Sequence, residues 1–149
     1  MLSERAERRL PFESAALFDL AADIEQYPLY LPGWREVHIE QRQGDGCRAI
    51  QTVGFGPAQL RFRTDAALHR PERIEVTSDD PQFRHFYLGW RFEGVRRGEC
   101  RVELAVELEL RSFLLQRSME WLGPSVVGDA LQAFEGYACQ RLGPPAAGK

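Results

Sequence analysis

The sequence predicts an α+β domain: a curved antiparallel sheet of six to seven strands around a long C-terminal helix, with short helices after the first strand. Three observations carry this. From Trp34 to Arg111 apolar and polar residues alternate with period two, in runs broken by turn-forming residues. From Val126 to Tyr137 the spacing turns helical: Val126, Val127, Ala130, Phe134 and Tyr137 form one stripe, with Ala133 beside it. No βαβ unit and no glycine-rich phosphate loop interrupts this order. Alternation gives a wet and a dry face, the pattern of an antiparallel sheet.

Element by element, Glu4 to Leu10 reads as a short strand. Ser14 is expected to cap a helix carrying Leu17, Phe18, Ala21 and Ala22. Ile24 and Tyr27 continue it as a second short helix capped by Asp23, and Pro28 and Pro32 end regular helix. Val37, Ile39 and Gln41 alternate with His38, Glu40 and Arg42, and Gly44-Asp45-Gly46 signals a hairpin into a strand over Cys47 to Phe55. Gly56-Pro57 turns into Leu60, Phe62, Thr64, Ala66 and Leu68. Arg70-Pro71-Glu72 leads to a short strand, Arg73 to Ser78, and Phe83 to Val95 forms a longer one. After Gly98, Val102, Leu104, Val106, Leu108 and Leu110 face one way. Arg101, Glu103, Glu107, Glu109 and Arg111 face the other. A helix over Ser112 to Leu122 stops at Gly123-Pro124, and Pro124 and Ser125 open the last helix. Residues 1–142 read as one domain and 143–149, rich in Pro, Gly and Ala, as a flexible tail.

Composition narrows the function. At 149 residues the chain suits one domain with a sizeable core. A net charge of −3 argues against a large nucleic-acid footprint, so no DNA partner is expected. No run of about 18 apolar residues is present. The start, MLSERAERRL, has no apolar signal region, so a cytoplasmic place is expected. Cys47, Cys100 and Cys139 are odd in number and widely spaced. They read as buried small side chains, not as a disulfide framework or zinc site. His38, His69 and His85 fall on outward faces or strand ends, and Ser112, Ser118 and Ser125 lack evident partners; no metal site or nucleophilic triad is expected. Arg61 and Arg63, beside Arg48 and Arg84, read as a solvated face or as a headgroup or ribosome contact.

Such a sheet twists and curls and is wider than the single helix that must cover it, so its interior is either hollow or filled. The pattern leaves both open.

Three motifs resemble a known family. Asp23 to Trp34 (DIEQYPLYLPGW) resembles the "D-x-x-x-Y-P-x-F-L-P" signature of coenzyme Q-binding START-like proteins. Asp79 to Arg84, followed by Gly89-Trp90-Arg91-Phe92, resembles the same family's "D-G-P-F-[KR] … W-x-F" stretch. Ser112 to Glu135 resembles its "F-x-x-x-L … A-F-E-x-R" helix, with Tyr137 in place of the arginine. The family belongs to the polyketide cyclase/dehydrase and lipid-transport superfamily and includes the bacterial ribosome-association toxin.

The resemblance implies the helix-grip (START/Bet v 1-like) fold around a hydrophobic tunnel, binding an isoprenoid quinone (ubiquinone) or a related polyprenyl lipid with no required cofactor. It implies non-catalytic delivery in support of respiration, with transient contact to the bacterial inner-membrane surface. Its alternatives are a toxin that contacts the ribosome and blocks subunit joining, and a polyketide aromatase/cyclase. The segment Tyr27, Pro28, Tyr30, Leu31 and Trp34 is either a rigid plug or the cavity mouth, with Tyr27 and Tyr30 offering hydroxyls to a quinone carbonyl. Leu60, Phe62, Phe83, Leu88, Trp90, Phe92 and Val106 on the sheet, with Val126, Val127, Ala130 and Phe134 on the helix, are either packed core or the cavity walls. Gln51, Thr64 and Ser78 are the polar exceptions expected among the inward positions.

Overall fold

A computed structural model describes residues 1–55, 57–120 and 126–143, with Phe55 by its backbone. Seven strands form one antiparallel sheet: β1 (Leu2–Leu10), β2 (Trp34–Gln43), β3 (Gly46–Phe55), β4 (Ala58–His69), β5 (Arg73–Thr77), β6 (Phe83–Arg96) and β7 (Glu99–Leu110). Their order is β1-β7-β6-β5-β4-β3-β2, so the first strand pairs with the last. Between β1 and β2 the chain crosses the sheet through α1 (Ser14–Ala22), a 3₁₀ turn (Ile24–Gln26) and α2 (Tyr27–Tyr30). After β7 come α3 (Phe113–Glu120) and α4 (Val126–Leu142). The 17 residues of α4 span about 25 Å.

Alternation decides which face is dry. Val102, Leu104, Leu108 and Leu110 of β7 are buried. On the outer face Arg101 pairs with Glu7 and Glu93, and Glu107 with His85. β2 and β6 each carry two register shifts, and such bulges bend a strand and deepen the sheet's curl. Buried Val127, Ala130, Leu131, Phe134, Tyr137 and Ala138 turn α4 into the dry side. Bidentate hydrogen bonds from Arg70 to Asp19, at 2.8 and 3.0 Å, tie α1 to the β4–β5 turn.

Several local expectations are corrected. Ser14 is the first helical residue and Glu13 holds the cap position. The Glu13 carboxylate makes a tertiary contact instead, accepting the Gly98 N–H at 2.8 Å. Asp23 makes no side-chain cap; its carbonyl accepts the Gln26 N–H at 3.0 Å. Pro28 lies in the first turn of α2 rather than ending a helix, a place where its missing N–H is not needed. Ser78 sits beyond the end of β5, and its hydroxyl donates to the Arg63 carbonyl instead of facing the interior. Only Cys100 is buried; Cys47 is half-buried and Cys139 exposed, because the outer face of α4 carries it. Helix α3 starts at Phe113, with Ser112 Oγ accepting the Leu115 N–H at 3.3 Å. The Gly123-Pro124 break and nearly all of the tail, from 144 on, lie outside the described residues.

Candidate ligand cavity

The interior has two halves. One is filled by aromatic rings. Tyr27 is buried, and its hydroxyl accepts the Trp90 indole N–H at 3.0 Å. Trp90 lies parallel to Phe92 and packs on Phe134 with centroids 4.8 Å apart. Tyr30 stacks on Tyr137 at 4.2 Å and touches the edge of Tyr27. Gathering these rings buries much apolar area and fixes α1, α2 and the middle of α4 on the sheet. The Tyr30 hydroxyl is buried with no partner among the described residues. Burial, with Tyr27 and Tyr137 close by, holds its phenol well above the usual range, so it stays protonated.

The other half is hollow. A cavity of about 80 Å³ lies between the β3–β4–β6–β7 surface, α3, the start of α4 and the Leu31–Trp34 segment. Gly33, at φ +87°, permits the chain reversal that brings Pro32 and Trp34 to this wall, and its carbonyl accepts the Gly54 N–H at 2.8 Å. Phe62, Phe83 and Phe86 form a ring triad with centroids 4.9 to 5.2 Å apart on the sheet side. Every described lining side chain is hydrocarbon, thioether or indole. The Trp34 N–H is turned away from this apolar space, donating to Gln51 Oε1 at 2.6 Å. Gln51 Nε2 donates in turn to Thr64 Oγ1 at 2.9 Å. Of the three polar side chains expected inside, Gln51 and Thr64 thus bond to each other within the wall.

Of the residues singled out in the sequence, Leu31, Trp34, Leu60, Phe62, Phe83, Leu88, Val106, Val126, Val127 and Ala130 line the cavity. Tyr27, Pro28, Tyr30, Trp90, Phe92 and Phe134 do not. They belong to or flank the aromatic half, where ring-on-ring packing leaves no space, and the Tyr27 oxygen is already engaged by Trp90. Sequence reading missed Leu2, Pro32, Val53, Phe86, Leu104, Leu108 and Met119. For Val53, Phe86, Leu104 and Leu108 the signal was present, since each stands two places from an inward residue on its strand. Leu2 lies before the expected strand start, and Met119 needed the register of α3.

His38, His69 and His85 are all exposed, and His85 sits 2.8 Å from Glu107. Among the described residues no three His, Cys, Asp or Glu side chains gather as a metal site. Among the described residues no helix is long and apolar enough to cross a membrane.

A curved sheet gripping a helix over an apolar hollow is the START-like fold, shared with a solved START-superfamily structure of Mycobacterium smegmatis. The chain belongs to the polyketide cyclase / dehydrase and lipid transport family, which it matches over residues 10–135. It is 26% identical over 132 residues to the ribosome association toxin RatA of Pseudomonas aeruginosa, covering 89% of each chain. It is 27% identical over 136 residues to the mitochondrial coenzyme Q-binding protein coq10 of Schizosaccharomyces pombe, covering 87% of this chain and 82% of that one. The Zhui aromatase/cyclase of a Streptomyces species superposes with a TM-score of 0.81 over 99% of this chain and 98% of its own, at 15% identity, a likeness of fold alone.

Proposed function

We propose that the chain binds an isoprenoid quinone, or a closely related polyprenyl lipid, in this cavity and delivers it to membrane enzymes without altering it. The observation that carries the reading is the wholly apolar lining, interrupted only by the flat indole of Trp34. Burying a tail there is worth about 0.8 kcal/mol per methylene. The similarity to a coenzyme Q-binding protein over most of both chains supports the ligand class. A cyclase needs groups that move protons at the substrate, and the described lining offers none.

At about 80 Å³ the hollow is smaller than a usual small-molecule pocket of ~300–1,000 Å³. Uptake therefore requires the walls to part. The sheet side is laced by backbone hydrogen bonds. The helical side meets it mostly through side chains, with the Val127 N–H to Glu4 at 3.3 Å among its few polar ties. The α4 side of the helical wall is the one that yields, since Gln116 ties α3 to β7. Titration with a short-chain ubiquinone tests this: saturable binding raises Tm, by about 2.7 kcal/mol of stability at one hundred times Kd. An unchanged Tm at saturating quinone contradicts the reading.

The similarity to RatA favours a second reading, a ribosome-associating toxin. Sucrose-gradient profiles on overexpression separate the two: a fall in joined ribosomes supports the toxin, and unchanged profiles dismiss it.

A further inference from the structure

Two apolar side chains stand out on the surface. Phe113 is 70% and Leu114 76% exposed, the highest among the large hydrophobic residues described. They are adjacent in the first turn of α3, whose opposite face is buried through Gln116 and Met119. The helix cannot roll to hide them. Gln116 Oε1 accepts the Leu110 N–H at 2.7 Å, and its Nε2 donates to Leu108 O at 3.4 Å and Glu120 Oε2 at 3.0 Å. Rolling α3 would strand this buried amide, a costly loss. The exposure is thus a fixed feature of the fold.

Two cations flank the pair. The Arg117 guanidinium lies 5.7 Å from the Phe113 ring centre. Arg111, at the end of β7, is exposed and donates Nε to the Pro81 carbonyl at 3.0 Å. Neither arginine forms an ion pair among the described residues. Across α3 from this surface, Met119 lines the cavity.

We propose that Phe113, Leu114, Arg111 and Arg117 form a docking face for an anionic phospholipid bilayer, the apolar pair entering the interface and the arginines meeting phosphates. Apolar side chains flanked by arginine are the composition an interfacial segment needs. The position of Met119 brings the cavity end of the domain against the lipid, so a hydrophobic molecule crosses from bilayer to interior beside α3. A second copy of the chain fits this surface poorly, since two adjacent side chains fall far short of the ~1,200 Å² a stable dimer buries. Nucleic acid would leave the apolar pair unused. The proposal deepens the carrier reading and rests on it for what is transferred, while the docking is measured separately.

The test is co-sedimentation of the full chain with vesicles of phosphatidylcholine, alone or mixed with phosphatidylglycerol. The wild type is expected to bind the anionic vesicles and to weaken with salt. Phe113→Ser/Leu114→Ser is expected to bind about tenfold or more weakly with unchanged Tm, and Arg111→Gln/Arg117→Gln to lose the preference for phosphatidylglycerol. The serine variant should still take up short-chain ubiquinone from solution and fail to draw it from vesicles. Equal sedimentation of wild type and serine variant overturns the proposal. So does absence of sedimentation, a dimer that the serine variant dissolves, or ribosome binding lost in that variant while vesicle binding persists. If vesicle docking behaves as expected but no quinone binds by either route, the docking face stands and the carrier reading falls.

Discussion

The indole Nε1 of Trp34 donates to Oε1 of Gln51 at 2.6 Å, and this bond orients the flattest surface of the cavity wall. Gln51 is 2% exposed and continues the chain to Thr64, whose hydroxyl reaches the Ala49 carbonyl at 3.4 Å. The bonds run between β2, β3 and β4 and keep polar atoms out of the hollow. Gln51→Leu keeps the bulk and removes the acceptor of the Trp34 N–H, while the Thr64 hydroxyl keeps the Ala49 carbonyl. Its expected cost is about 1–3 kcal/mol, that of one stranded donor. Urea unfolding reads it as a lower midpoint at constant slope; a wild-type midpoint would mean that the network does not fix the wall.

The two tyrosines of α2 should respond oppositely to loss of the hydroxyl. Tyr27→Phe removes the acceptor of the Trp90 N–H, at an expected cost of about 1–3 kcal/mol. Tyr30→Phe removes an oxygen without a partner among the described residues, so stability stays level or rises. Thermal melts of the two variants decide the matter, and equal losses would contradict the assigned bonding.

Ala130 lines the hollow from α4. Ala130→Leu places three further carbons in space the wild type leaves open. Its Tm is expected to stay or rise. If the interior were already filled, overpacking would cost about 1–3 kcal/mol, and calorimetry distinguishes the two.

The Arg70 guanidinium beside Asp19 holds that carboxyl below its ordinary value. A depressed carboxylate contributes stability above its unfolded value, lost as pH falls through the folded one. Asp19→Asn should therefore lower Tm at pH 7, and the difference from wild type should shrink and vanish as pH falls below about 4, through the lowered folded value. Both side chains are more than half exposed, so solvent screening keeps the effect under about 1 kcal/mol. A gap that persists in acid would contradict the pairing.

The strands were legible because a half-buried sheet writes its faces into alternation, as Val102 to Leu110 does most plainly. The wall residues Leu60, Phe62, Leu88 and Val106 followed from that parity. The division of the interior did not. Whether Tyr27 and Trp90 border a hollow or plug it depends on how α2 and α4 meet across the sheet. That meeting brings Tyr30 onto Tyr137, 107 positions along the chain. No local period encodes such a contact. The helix cap failed for a related reason: Glu13, not Ser14, holds the cap position, and its carboxylate turns to a tertiary partner, the Gly98 N–H. The exposed pair Phe113-Leu114 reads in sequence as ordinary helix apolarity, and only the anchoring of Gln116 shows which side faces out.

The central claim is that the apolar hollow beneath α3 and α4 is a quinone or lipid site. Organic extraction of the purified chain, followed by mass spectrometry, tests it most directly with Ala130→Leu prepared in parallel. The expected result is a polyprenyl quinone or related lipid co-purifying with the wild type, and at least about tenfold less from the folded variant, as a few lost methylene contacts imply. Wild-type protein free of any lipid, or the same yield from both proteins, would contradict it.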